Sequence, residues 1–155
     1  IGSSPQNILS ECRIETDDPN NTMGKVGDFF IDQMKTLGIR LNSIGLGCFG
    51  PLDLDKNSDT YGSITTTPKV VWRGTNIPKV LGSRLSVPVL IDTDVNAAAL
   101  GELIWGAGVG LENLVYLTIG TGIGGGVIID KKPLHGMLHP EIGHQTRSLC
   151  IQAQD

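Results

Sequence analysis

The stretch Leu114-Val-Tyr-Leu-Thr-Ile-Gly-Thr-Gly-Ile-Gly-Gly-Gly-Val-Ile-Ile-Asp130 sets an apolar run, a glycine-rich turn and a second apolar run in succession. Gly120, Gly122 and Gly125 satisfy the dinucleotide pattern G-x-G-x-x-G, which requires the turn to open into a helix after a strand. Beyond Gly126, however, come Val127, Ile128 and Ile129, and β-branched residues favour a strand. The glycines therefore join two antiparallel strands with no helix dipole behind them, and a dinucleotide site is not expected. A turn in which several residues lack a Cβ lets backbone N–H groups approach an anion closely, and the Thr121 hydroxyl adds a donor. Glycine clusters in general more often make irregular hairpin loops. A second motif upstream shifts the weight toward phosphate.

That motif is Pro88-Val-Leu-Ile-Asp-Thr-Asp-Val-Asn-Ala-Ala-Ala-Leu-Gly-Glu102, a short apolar strand running through Asp92 and Asp94 into an alanine-rich helix. Asp94 is placed at the N-cap or next to it, where the helix dipole and free N–H groups favour the ionised carboxylate. A carboxylate at the carboxyl end of a strand in an α/β protein lies where ligands bind, and phosphoryl transfer uses one to orient and deprotonate the attacking hydroxyl. Taken alone, simple helix capping by Asp92 and Asp94 is the commoner explanation.

Composition narrows the classes. The 155 residues suit one domain with a sizeable core, and no run of about 18 apolar residues marks a transmembrane helix. A net charge of −4 with 12 scattered Lys and Arg residues argues against nucleic-acid or membrane-surface partners and leaves small neutral or anionic ligands. The 21 glycines are roughly twice the usual share of about 7% and fit no collagen-like period, so loops and turns carry the excess. Cys12, Cys48 and Cys150 form no C-x-x-C pair, which speaks against a disulfide framework. The expected compartment is the reducing cytoplasm, with no signal peptide at the start of the chain.

Along the chain, residues 7–16 read as a strand with Ile8, Cys12 and Ile14 on one face. A helix comes next from Asp18-Pro19, with Met23, Val26, Phe30, Met34 and Leu37 at helical spacing and Gly38 as its stop. Residues 43–48 read as a buried strand and 49–58 as a long polar loop. A second helix starts near Asn76-Ile77-Pro78 and hands over to the strand at 88–91. Strands alternating with helices predict a largely parallel α/β sheet, and the hairpin at 114–130 begins something new.

Together these residues resemble the ROK family of bacterial sugar kinases, above all its fructokinase branch. The likeness rests on five ordered blocks: Gly45-Leu-Gly-Cys-Phe-Gly-Pro-Leu-Asp53, Tyr61-Gly-Ser-Ile-Thr-Thr-Thr-Pro-Lys-Val-Val-Trp72, Asp92-Thr-Asp-Val-Asn-Ala-Ala-Ala-Leu-Gly-Glu102, Leu117-Thr-Ile-Gly-Thr-Gly-Ile-Gly-Gly-Gly126 and His139-Pro-Glu-Ile-Gly-His144. The resemblance implies an actin-like ATPase (ribonuclease H-like) fold, shared with hexokinases and heat-shock chaperones, in which ATP and sugar lie between two α/β domains. Residues 1–108 would be the N-terminal domain, 109–144 the start of the second domain with its phosphate hairpin, and 145–155 an unrelated tail.

The resemblance also implies roles. Asp94 matches the catalytic base that takes the proton from the attacking sugar hydroxyl. Gly120, Thr121, Gly122 and Gly124 match the second phosphate loop. Gly50, Pro51, Thr67 and Pro68 match loops shaping the sugar pocket, and Asn96, Glu141 and His144 complete the substrate-binding set. Thr93 falls where the family often has a sugar-contacting Asn, a departure. His144 matches a zinc-ligating histidine, for which only His135, His139 and Cys150 offer further ligands toward the four that zinc takes, with no helical pairing among them. The family's first phosphate loop, D-x-G-G-T-K, precedes the strand to which the residues after Ile1 align, and its zinc and adenosine elements come after His144.

Two functional expectations result. One is an ATP-dependent, Mg-requiring kinase acting on fructose or a related hexose, incomplete as this chain alone. The other is a non-enzymatic remnant that binds sugar or self-associates, with a homodimer formed through the strand edge at 114–130. A ROK-type repressor would need a winged helix, which these residues do not contain.

Overall fold

The computed structural model describes residues 1–120, 122–136 and 142–144, the side chain of His144 excepted. Its first helix, α1 (Pro19–Leu37), begins and ends where the sequence dictates. Asp18 caps it, its Oδ1 accepting the N–H groups of Asn20 at 2.9 Å and Asn21 at 3.0 Å. Gly38, at φ 63°, turns the chain out through a left-handed residue that costs glycine nothing. Met23 is buried, whereas Leu37, at the far end of the expected apolar stripe, is exposed.

The chain opens with two short strands, β1 (Gly2–Ser4) and β2 (Asn7–Ile8), which pair with each other. Strand β3 (Ile44–Cys48) lies parallel to β4 (Val89–Thr93), in register from Ile44 opposite Val89 to Cys48 opposite Thr93. The crossover between them carries α2 (Ile77–Leu85), capped by the Asn76 side chain, which accepts the Lys79 N–H at 2.9 Å. Arg84 of α2 reaches across α1, donating to the Gly24 carbonyl at 2.7 Å and pairing with Asp28. Gly27 makes room for it, since a Cβ there would lie 2.6 Å from the Arg84 side chain.

Met23, Cys48, Leu52, Ile64, Trp72, Ile77, Leu81 and Ile91 form the core. Leu52 and Ile64 face each other in an isolated antiparallel bridge. The stretch read as a long polar loop therefore sends one residue into the middle of the core, because a single leucine among polar neighbours leaves no periodicity to detect. The Trp72 indole is buried and donates to the Asp17 carbonyl at 2.8 Å, tying the start of α1 to the crossover.

Helix α3 (Asp94–Trp105) packs on β3, on β5 (Leu114–Ile119) and on β6 (Ile123–Ile129). The expected hairpin is present: β5 and β6 run antiparallel, with Leu114 opposite Ile128 and Ile119 opposite Ile123. A short β7 (Lys132–Pro133) adds to β6. Gly126 sits against α3 so closely that a Cβ would strike the Val95 carbonyl and stand 3.0 Å from the Ala99 methyl.

Two expectations change. Only β2 is strand within residues 7–16, because the residues after it have no ladder partner among those described. The largely parallel sheet is likewise reduced, among the described residues, to the β3–β4 pair. No helix of the described residues is long and apolar enough to cross a membrane.

The contact between β6 and α3 leaves no space for a side chain. Gly126→Val should destabilise the chain by about 1–3 kcal/mol, read from urea unfolding monitored by circular dichroism. The same change at Gly101, whose Cβ would meet nothing within 4 Å, should cost less.

Candidate functional site

The junction between β4 and α3 is fixed by side chains that bond the backbone of the first helical turn. Thr93, not Asp94, is the N-cap: its Oγ1 accepts the Asn96 N–H at 3.2 Å, and it is 2% exposed. Asp94 comes next as the first helical residue, exposed to solvent, with Oδ1 accepting the Val95 N–H at 2.9 Å.

Asp94 and Cys48 lie close enough to influence each other. Burial, then the Asp94 charge, push the Cys48 thiol up to about 11, with Lys69 pulling the other way. Lys69 stands over the Phe49 ring, 4.1 Å from its centroid, and Phe49 meets Trp72 edge to face. The loop residues expected to shape a sugar pocket contact one another. Gly50 and Pro51 are half-buried and joined by a cis peptide. The Pro51 carbonyl accepts the Thr65 N–H at 2.8 Å, bringing the two loops together. Thr67 is buried, its carbonyl accepting Arg73 Nε at 2.8 Å, and Pro68 is exposed.

In the hairpin, Gly120 and Gly122 are exposed, with nothing within 4 Å of where a Cβ would stand. That open approach suits a phosphate group, although the Gly120 N–H is already given to the Gly122 carbonyl at 2.9 Å. Gly124 is different: its Cβ would lie 2.9 Å from Val95 in the first turn of α3. The hairpin thus lies against the helix turn that begins with Asp94. Thr121 and Glu141 fall outside the described residues, as do His139, Cys150 and the His144 side chain. The turn Ile142–His144 packs on β6, where Ile142 fills the space beside Gly125.

A second constellation lies beyond what the sequence motifs mark. The Asp92 carboxylate accepts three donors: the Thr93 N–H at 2.7 Å, Asn96 Nδ2 at 2.8 Å and His135 Nε2 at 2.9 Å. A carboxylate can only accept, so the Asn96 amide nitrogen must face it and His135 carries its proton on Nε2. Asn96 is fully buried, and its Oδ1 has no partner among the described residues. The signal lay in the alternation of β4. Ile91 and Thr93 point into the core, so Asp92 must face the other side.

Asp92 and His135 form one wall of a cleft of about 680 Å³, with Leu52, Leu54, Asn57 and Tyr61 opposite. None of the described residues expected to hold ATP or hexose lines this cleft. Among the described residues, no group of three or more His, Cys, Asp or Glu side chains is arranged to hold a metal ion.

A parallel strand pair leading into a helix, with an antiparallel glycine hairpin laid on that helix, is the arrangement of actin-like ATPase sugar kinases. A ROK hexokinase from Thermus thermophilus matches it with a TM-score of 0.69 at 30% identity, over 88% of this chain and 44% of that one. A ROK family glucokinase from Streptomyces griseus, solved with glucose and AMPPNP, gives 0.61 at 30% identity, over 79% and 39%. The chain belongs to the ROK family, which it matches over residues 1–150. The fructokinase of Zymomonas mobilis is 45% identical over 141 residues, 91% of this chain and 47% of its own length. The chain spans about half the length of the curated relatives it matches.

Asn96→Asp would set a second carboxylate against Asp92 in a buried place. It should cost about 3 kcal/mol or more at neutral pH, part of it regained as the pH falls and one of the two protonates, measured by urea unfolding across pH. Cys48 should resist iodoacetamide at about pH 8 in the folded chain while exposed Cys12 reacts. Folding holds the Cys48 proton, so its contribution is intact below the ordinary thiol value of 9.0 and is lost as the pH rises through about 11.

Proposed function

We propose that this chain is the sugar-side half of an ATP-dependent hexose kinase of fructokinase type, transferring a phosphoryl group from ATP to a hydroxyl of fructose or a related hexose. Asp94 is the base. It is exposed at the carboxyl end of β4, close enough to Cys48 at the end of β3 for its charge to act on that thiol. Thr93 and Asn96 hold the junction rigid from inside, while Glu141 and His144 would grip sugar hydroxyls. Gly120, Thr121, Gly122 and Gly124 form the phosphate loop. The observation that carries this reading is the contact of Gly124 and Gly126 with Val95, which brings the phosphate hairpin against the helix turn that bears the base.

ATP brings the transferable phosphoryl group, and Mg²⁺, held chiefly by its phosphates, neutralises the charge that develops. The chain's own part is to position the hydroxyl, accept its proton and offer backbone donors to the phosphate. We divide the chain at 108/109, in the turn after α3, and assign it to the cytoplasm, where ATP and free hexose meet. Zinc at His144 is a proposal resting on the family motif alone.

The alternative, a self-associating remnant, draws on β5. Val115, Leu117 and Ile119 are 59%, 52% and 78% exposed, and β5 is an edge strand among the described residues. Sedimentation of the 155-residue polypeptide should then show a dimer at micromolar concentration, and a clean monomer would remove this reading.

The kinase reading is tested with a coupled assay containing ATP, Mg²⁺ and fructose. The 155-residue polypeptide should show no turnover above background. Extended with the parts of the Zymomonas enzyme that the match leaves uncovered, it should turn over, and Asp94→Asn should lower kcat by about 10²–10⁴. Full activity in the extended Asp94→Asn variant would overturn the assignment.

A further inference from the structure

We propose that the cleft between the 52–61 loop and the Asp92–His135 wall is a binding site for a neutral carbohydrate of more than one ring, separate from the junction that presents Asp94. The inference does not depend on the kinase reading, since it concerns binding alone and residues to which that reading assigns no role in the cleft.

Three observations carry it. The first is preorganisation. Asp92 has a side chain only 19% exposed and is fixed by three donors from three different places in the chain: the backbone of the helix cap, the buried Asn96 amide and His135 after β7. Its two oxygens offer about four lone-pair positions, so at least one acceptor position is left at the cleft wall. With its proton on Nε2, a neutral His135 keeps Nδ1 as a second acceptor. A carboxylate held rigidly with spare acceptor capacity is suited to a ligand rich in hydroxyl donors.

The second observation is the balance of charge. Asp55 and Lys56 line the cleft from the 52–61 loop and Asp92 from the other wall, so it has no surplus of positive charge to recruit a phosphate or a carboxylate. Asn57 adds an amide that both donates and accepts, and Leu54, Tyr61 and Pro133 supply apolar surface for the C–H face of a sugar ring. Fixed acceptors, no surplus of positive charge and one aromatic wall are the features that recognise a polyol.

The third is size. A cleft of about 680 Å³ falls in the range of roughly 300–1,000 Å³ typical of small-molecule sites, and a single hexose would leave much of it empty.

Isothermal titration of the 155-residue chain with sucrose, maltose, fructose and inorganic phosphate tests the proposal. At least one disaccharide should bind roughly fivefold or more tightly than fructose, and phosphate should not compete. Asp92→Asn should weaken the disaccharide roughly tenfold, the loss of one hydrogen bond to a charged group. Exposed Asn57→Ala, a change that leaves the core untouched, should weaken it as well, and it keeps the test open if Asp92→Asn fails to fold by circular dichroism. Asp94→Asn should leave disaccharide binding within about twofold. No saturable binding of either disaccharide, binding displaced by phosphate, binding unchanged in Asn57→Ala and in a folded Asp92→Asn, or binding lost in a folded Asp94→Asn would each overturn the proposal.

Discussion

The hydrogen bond from the buried Asn96 amide to the Asp92 carboxylate is the constraint on which the middle of this molecule depends. It joins the end of β4 to the first turn of the helix beyond it, with the Asn96 amide fully buried. Thr93, between the two, is thereby held in extended geometry with its hydroxyl on the Asn96 N–H. Asp94 is left as the first residue free to face outward. The exposed acid is the product of two buried neighbours, and its position is only as firm as theirs. The Asn96 Oδ1, without a partner among the described residues, is the cost of the arrangement, of the order of 1–3 kcal/mol for a buried polar atom left unpaired.

Around that junction the layers are fastened by contacts that require small residues. Arg84 crosses α1 only because Gly27 has no side chain, and the β5–β6 hairpin reaches α3 only because Gly124 and Gly126 have none. These are backbone-to-helix approaches, shorter than any side chain permits. They make α3 common to the strand pair before it and the hairpin after it, so a shift of the hairpin is felt directly in the turn that begins with Asp94.

Much of this is legible in the chain. Asp18 and Gly38 bracket α1 by capping chemistry, Asn76 does the same for the start of α2, and the β-branched run after Gly126 fixes the hairpin against the helical alternative. Those signals are local. The features that escape are non-local: Leu52 reaches Ile64 through a bridge of two residues, and His135 reaches Asp92 across 43 positions of sequence. Neither leaves a periodic trace. Asp92 reads as a helix cap because acids before helices usually are, and its real orientation emerges only once β4 is known to bury Ile91 and Thr93. The strand expected at 7–16 fails for the complementary reason, since alternation describes a face but cannot supply the neighbour that a ladder needs.

The glycine string of the hairpin divides into two kinds of position. At 120 and 122 the space beyond the backbone is open, and at 124, 125 and 126 it is filled by Val95, Ile142 and Ala99. The first pair answers to whatever approaches from outside, the second group to the interior. A descendant of this chain that had abandoned ligand chemistry would be released from glycine at the first pair and still bound to it at the second. The length of the glycine run in such a sequence would record the architecture, and only its two leading members would carry the history of its use.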